Sequence, residues 1–175
     1  MLTSEEIADH AAGGKLNSKR LVGDWTFDKA EDGAYENVAA DGLAAKVVGG
    51  VQHVADGDGG FIRLDGNGYL EVAPDPRLDI SRACTIEAWI RPKNEGAIVS
   101  RQIVWMWGFS FRTDTGGLLL DALRTNRGPL GTKYQYPADE WTHVVAVMGP
   151  CGFRQLYANG KLLAEQKEHV LLIAD

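Results

Sequence analysis

The sequence predicts an all-β fold of antiparallel strands, a sandwich or barrel, preceded by one short helix. Three observations carry this expectation. From Leu21 onward the apolar residues recur with a period of two, in strand-sized runs. Clusters of Gly, Asp, Asn and Pro separate the runs, and the 21 glycines of the 175-residue chain suit a fold with many turns. Helical patterning is confined to the first dozen residues.

In chain order, residues 3–12 read as the helix. Thr3 is placed to cap it, with Glu6 three residues on to complete a capping box. Glu5 and Glu6 load the first turn, and Gly13-Gly14 stop it. The predicted strands are Leu21–Asp28, Ala45–Val48, Phe61–Leu64, Tyr69–Val72, Cys84–Arg91, Ala97–Arg101, Trp105–Arg112, Gly117–Arg124, Thr142–Met148, Phe153–Ala158 and Lys161–Glu165. Asp65-Gly66-Asn67-Gly68 and Asn159-Gly160 carry the residues that tight hairpins require. Asp75-Pro76 and Arg91-Pro92 mark strand exits, because proline cannot donate to a ladder. In the run Thr85–Ile90, alternation puts Ile86, Ala88 and Ile90 on one face and Glu87 and Trp89 on the other. Both faces carry bulk, as expected of a central strand whose second face is covered by loops or lines a groove.

Composition narrows the function classes. Asp and Glu exceed Lys and Arg by 24 to 18, and no basic run gathers on one segment, so nucleic acid is not an expected partner. No apolar stretch approaches the roughly 20 residues that span a bilayer, and no signal-peptide pattern opens the chain, so an exported parent would carry its signal upstream of Met1. Cys84 and Cys151 could form one long-range disulfide or remain two free thiols; the plainer reading packs Cys84 as a small apolar residue and leaves Cys151 in a turn-rich stretch. His10, His53, His143 and His169 are scattered singly, with no metal-site spacing.

Five phrases, in this order, carry a resemblance to a known family. They are Leu21-Val22-Gly23-Asp24-Trp25-Thr26-Phe27-Asp28, the stretch from Phe61 to Val72, Thr85-Ile86-Glu87-Ala88-Trp89-Ile90, Trp141-Thr142-His143-Val144-Val145-Ala146-Val147, and Leu156-Tyr157-Ala158-Asn159-Gly160-Lys161. Together they resemble the laminin-G-like modules of the concanavalin A-like lectin and glucanase superfamily. The resemblance implies a jelly roll of two facing antiparallel sheets over roughly residues 19–165. Such modules close with one further strand and then a short Leu-Ser/Thr-x-Glu-Glu-Ile helix. Here Val170-Leu171-Leu172-Ile173 resembles the strand before that one, and Leu2-Thr3-Ser4-Glu5-Glu6-Ile7 stands at the other end. The expected organisation is therefore a helix and linker over 1–18, the tail of a preceding module, and a sandwich over 19–175 lacking its last strand. An unpaired edge of that kind invites self-association or contact with a neighbouring module.

Superfamily members that cut glycans use acids packed closely along one strand, because retaining hydrolysis needs two carboxyls about 5 Å apart. Glu87 has no acid two residues away, and Asp139 and Glu140 are adjacent, so they cannot share a strand face. No phosphate-binding loop or nucleophile motif is present, and no enzyme is expected. Sugar recognition combines aromatic faces with amide, carboxylate and guanidinium groups. The run Trp105-Met106-Trp107-Gly108-Phe109-Ser110-Phe111 puts four aromatics on one strand face, Phe109 and Phe111 as core. The polar, aromatic-studded segment from Arg124 to Tyr136 is the type that carries recognition on a rigid scaffold. The candidate ligand contacts are Trp105, Trp107, Arg124, Asn126, Arg127, Tyr134 and Tyr136, while Trp25 and Trp141 are expected in core or sheet-edge packing. Calcium is a candidate ion, through Asp28, Asp32, Asp41, Asp56 and Asp58. The functional expectation is a non-catalytic module that binds a glycan or a protein within a larger extracellular or cell-surface protein. The alternatives are a structural spacer or assembly module and, last, a glycoside hydrolase with an atypical site.

Overall fold

The computed structural model describes residues 1–15, 21–39, 42–78, 83–103, 107–122 and 128–167. It is an all-β jelly-roll sandwich of antiparallel sheets with one short helix. The chain divides into two compact units, one of Leu16–Ile80 and one joining Met1–Lys15 to Ser81–Asp175. The helix, set apart in the sequence as a leading segment 1–18, groups with the second of these.

The unit Leu16–Ile80 holds a three-stranded antiparallel sheet, β1 (Ala34–Tyr35), β2 (Ala45–Asp56) and β3 (Gly59–Val72), in that spatial order. Two sequence expectations fail here. Asp65-Gly66-Asn67-Gly68 does not reverse the chain. Val51 pairs with Leu64 and Gly49 with Gly68, so Asp65, Gly66 and Asn67 bulge out of β3 opposite Gly50. The turn chemistry is present but acts locally, with the Asp65 carboxylate accepting the Asn67 N–H at 2.9 Å. The reversal lies at Gly57-Asp58, between the paired residues Asp56 and Gly59. Nor is Leu21–Asp28 a strand. Its backbone groups bond to the Asn37-Val38 turn and not to a ladder: Asn37 Oδ1 accepts the Asp24 N–H at 2.8 Å, Asn37 Nδ2 donates to the Val22 carbonyl at 3.0 Å, and the Val38 N–H donates to the Asp24 carbonyl at 2.9 Å. Phe27, at φ +62°, breaks the extended conformation. Trp25 is half-buried and donates its indole N–H to the Leu43 carbonyl at 2.9 Å.

The other unit contains α1 (Ser4–Ala11), β4 (Cys84–Ile90), β5 (Gly96–Ile103), β6 (Trp107–Asp114), β7 (Gly117–Ala122), β8 (Leu130–Gly131), β9 (Thr142–Met148), β10 (Arg154–Ala158) and β11 (Lys161–Gln166). Its strands form two four-stranded antiparallel sheets, ordered β11-β10-β9-β4 and β5-β6-β7-β8. Phe111, Leu118 and Leu120 of one sheet meet Val144, Ala146 and Leu156 of the other in a buried cluster, and this is the sandwich core. Ile86, Ala88 and Ile90 pack against it, on the face that alternation predicts.

Strand β9 is apolar on both faces because it serves two cores. Val144 and Ala146 point into the sandwich, while Val145 and Val147 join Ile7 and Tyr157 in a second buried cluster. The cover on the outer face is therefore a helix, not a loop. Helix α1 forms as its sequence indicates: Thr3 Oγ1 accepts the Glu6 N–H at 3.2 Å, and the Glu6 carboxylate accepts the Thr3 N–H at 2.7 Å. Eight residues are too few to hold a helix in water, so its stability comes from docking Ile7. The Leu2 N–H to Thr85 Oγ1 bond at 2.9 Å and the Ser4 to Tyr157 hydroxyl contact at 2.9 Å fix its orientation.

The Asn159-Gly160 hairpin turn, with φ of +46° and +74°, joins β10 to β11 as predicted. A Cβ on Gly160 would come 3.1 Å from Ala8 Cα, so the turn also seats against the helix. Among the described residues, Arg154 is the largest fully buried side chain. Its guanidinium donates to the Leu120 carbonyl at 3.3 Å, to the Gly128 carbonyl at 2.8 Å and to Gln166 Oε1.

Candidate functional site

Two side-chain groups stand out, both in the unit that carries α1. The first is a groove of about 330 Å³ lined by Pro92, Lys93, Asn94, Glu95, Thr113, Asp114, Thr115 and Tyr136, and it opens broadly to solvent. Arg91-Pro92 ends β4 and starts the loop to β5. Thr113 then ties that loop to β6, its hydroxyl accepting the Gly96 N–H at 2.8 Å and lying 3.3 Å from the Asn94 carbonyl. Across the groove, Asp114 Oδ1 accepts the Thr115 N–H at 2.7 Å and orders the β6–β7 turn.

Segment 132–136 lies beside that turn because residue 117 has no side chain. A Cβ on Gly117 would meet the Tyr134 backbone N at 2.6 Å and Thr132 Oγ1 at 2.7 Å. Thr132 Oγ1 also accepts the Leu118 N–H at 2.9 Å, which anchors the segment to β7. Tyr134 and Tyr136 meet edge to face, ring centroids 5.2 Å apart. The Tyr136 ring packs on the sandwich core, and its hydroxyl is buried with no hydrogen-bond partner among the described residues. Burial, and secondarily Tyr134, push the Tyr136 phenol above its ordinary value. Tyr136 thus both packs on the core and lines the groove, and Tyr134 adjoins it through the ring contact.

Of the other predicted contacts, Trp105, Arg124, Asn126 and Arg127 lie outside the described residues. Trp107 begins β6 opposite Ile103, and only its backbone is described. Phe109 and Phe111 are core, as expected. Trp141 sits at the start of β9, 38% exposed, with the Arg91 guanidinium 5.2 Å from its ring centroid. Among the described calcium candidates, Asp28, Asp32, Asp56 and Asp58 do not converge in a group of three ligands; Asp41 lies outside the described residues. Cys84 and Cys151 are both free, and burial pushes the Cys84 thiol up to about 12.

The second group was not foreseen. His10 of α1, Glu87 of β4 and His143 of β9 converge, although 77 and 56 residues of sequence separate the histidines from Glu87. His10 Nδ1 lies 2.5 Å and His143 Nε2 2.9 Å from the same carboxylate oxygen, Glu87 Oε2. Glu87 pairs with Val145 and Trp89 with His143, so Glu87 and His143 are diagonal neighbours on one face. Asn159 clamps His143 from behind, its Oδ1 accepting the His143 N–H at 3.0 Å and its N–H donating to the His143 carbonyl at 2.8 Å. Burial pushes the Glu87 carboxyl upward, but the bonds and charges of His143 and His10 outweigh it and hold the group below its ordinary value. The only local signal was the alternation that places Glu87 and Trp89 on the outer face of β4; that a helix supplies a histidine there depends on docking.

A family model described as the concanavalin A-like lectin/glucanases superfamily, of laminin-G type, matches residues 64–173, more than half of the chain. The chain belongs to this superfamily. No curated protein matches the sequence. Among solved structures, this laminin-G-like chain resembles the binding domain of botulinum neurotoxin DC in complex with rat synaptotagmin II. The TM-score is 0.67 at 15% identity, over 86% of this chain and 40% of that one. It also resembles a structure concerned with the cell entry of botulinum neurotoxin type C and its dependence on two ganglioside molecules. There the TM-score is 0.58 at 14% identity, over 83% of this chain and 39% of that one. At such identities the likeness is one of fold, and the laminin-G-like chain spans less than half the length of either.

Proposed function

We propose that the chain is a non-catalytic binding module that recognises a glycan or protein surface, within a larger extracellular or cell-surface protein. The observation that carries this reading is the groove beside Tyr134, where an ammonium (Lys93), an amide (Asn94), two carboxylates (Glu95, Asp114) and a hydroxyl (Thr115) surround an open surface next to an aromatic pair. That mixture suits hydroxyl-rich or peptide ligands. An open groove suits an extended ligand better than a small substrate sealed from water. The related folds support the class of activity, since one is a binding domain in complex with synaptotagmin II and the other concerns a toxin that depends on gangliosides. The chemistry of Glu87 speaks against hydrolysis, because the groups acting on it are His143 and His10 and not a second carboxylate.

The test is a glycan array probed with the purified protein, with and without calcium, repeated with Asn94→Ala and Tyr134→Ala. Specific glycan binding that both substitutions weaken supports the site. A blank array from a folded sample removes the glycan half of the reading. Binding that neither substitution changes places recognition elsewhere on the module.

A further inference from the structure

We infer that His10, Glu87 and His143 form a site for a single divalent transition-metal ion, with zinc the best match to the ligand set. Three observations carry this. His10 Nδ1, Glu87 Oε2 and His143 Nε2 all lie within 4.8 Å of one another, and each comes from a different element. Two imidazoles and one carboxylate are the borderline donors that zinc and its transition-metal neighbours prefer, whereas calcium and magnesium demand oxygen. The protein also leaves one carboxylate oxygen at the cluster unused. The buried Glu87 Oε1 has no hydrogen-bond partner among the described residues, and it lies on the side chain whose Oε2 already meets both imidazoles.

The geometry is that of a metal-free site whose carboxylate bridges two imidazoles. Tetrahedral zinc with bonds near 2.0–2.1 Å spaces its ligand atoms roughly 3.3 Å apart. Glu87 Oε2 must therefore withdraw by about 0.8 Å from His10 Nδ1 and about 0.4 Å from His143 Nε2, or turn so that Oε1 takes its place. Rotation about the last side-chain bond of a glutamate allows this without moving β4. The ion has an entrance, because His10 is 28% exposed at its side chain while His143 lies at the bottom of the site at 1%. Trp89, its ring 5.2 Å from that of His143, walls one side. Asn159 fixes His143 from the backbone, so the deepest ligand is already held in place. Three protein ligands leave a fourth position for water or an exogenous donor. Binding there ties α1 to β4 and β9, and free energy of ion binding adds to the docking of the helix.

The experiment uses the full chain in a Cys151→Ser background, which removes the exposed thiol as a competing ligand, after treatment with a chelator. Titration with zinc chloride is followed by calorimetry and by thermal unfolding. The expected result is one ion per chain, a rise in Tm with zinc and none with calcium. Cobalt substitution is expected to give the intense visible absorption of a four- or five-coordinate site with nitrogen and oxygen donors. Outer partners of a ligand alone are worth roughly tenfold in affinity, so His10→Gln, at the exposed rim where folding is least at risk, must weaken binding by at least that factor. Glu87→Gln and His143→Gln serve as second variants where they fold. Absence of a one-to-one zinc isotherm overturns the inference, as does zinc binding that His10→Gln leaves unchanged. A Tm that does not respond to zinc at saturating binding overturns the coupling to the helix.

Discussion

Replacing Ile7 by alanine tests whether α1 is part of the sandwich or an appendage of it. The Ile7 side chain is fully buried between the helix and β9–β10, against Val145, Val147 and Tyr157. Removing a buried isoleucine of this kind costs roughly 1.5–3 kcal/mol in transfer from water, and the cavity left behind raises the total to about 2–5 kcal/mol. An eight-residue helix cannot persist alone, so the structure has little means of closing the gap except by releasing α1. Release would expose Val145, Val147 and Tyr157 and would also part His10 from Glu87. We expect a loss of about 3 kcal/mol in urea unfolding read by tryptophan fluorescence, and a Tm lower by roughly 6–12 °C for a domain of this size. Amide exchange of residues 4–11 should accelerate more than that of β9. A loss below about 1 kcal/mol, with the helix amides protected as before, would show that Ile7 is not the anchor.

Three further outcomes are expected. Gly160→Ala should destabilise by more than about 1 kcal/mol in the same assay, because the position has φ +74° and a Cβ there meets the helix backbone. Gly96, with no atom within 4 Å of an added Cβ, is the control and should change by less than about 0.5 kcal/mol. Arg154→Leu should cost at least about 2 kcal/mol, since it removes the guanidinium's hydrogen bonds to the Leu120 and Gly128 carbonyls and to Gln166. Arg154→Lys should not restore the wild-type value, because one ammonium cannot reproduce the guanidinium fork. The Asp75 carboxyl, held down to about 2 by hydrogen bonds from the Arg77 side chain and backbone, should titrate there by carboxyl NMR and move towards 3.8 in Arg77→Ala. Its folded pKa is depressed, so its contribution is complete above pH 3.8 and disappears as pH falls towards 2; an unchanged midpoint in Arg77→Ala would refute the assignment.

Strand and turn signals were most reliable where local chemistry and tertiary context agree. Thr142–Met148 was legible to the residue, because the uninterrupted apolar run of five from Val144 to Met148, rich in β-branched residues, suits a strand buried on both faces. Thr3 and Glu6 announced the capping box, and Asn159-Gly160 the hairpin, since each acts within a few residues of itself. Asp65–Gly68 misled for the same reason: its turn chemistry is genuine, but a bulge and a hairpin use similar residues, and only the pairing of β2 with β3 decides between them. Leu21–Asp28 has the apolar alternation of a strand and lacks a ladder partner, a fact that resides in Asn37 and not in the run itself.

By itself the amino-acid sequence determined the all-β class, the helix at the start and which face of β4 enters the core, because each follows from periodicity or from capping over short distances, while the family was legible as a resemblance carried by five phrases. The tertiary structure alone decided that the ring pair Tyr134–Tyr136 lies beside a polar groove that Tyr136 helps to line, since the backbone of residues 132–134 must lie against Gly117. It alone decided that His10, Glu87 and His143 meet. Glu87 and His143 become neighbours through the register of β4 on β9, and His10 joins them only when Ile7 docks the helix on β9 and β10. Side chains so distant in sequence share no local pattern, and the free energy that gathers them is the burial of other residues.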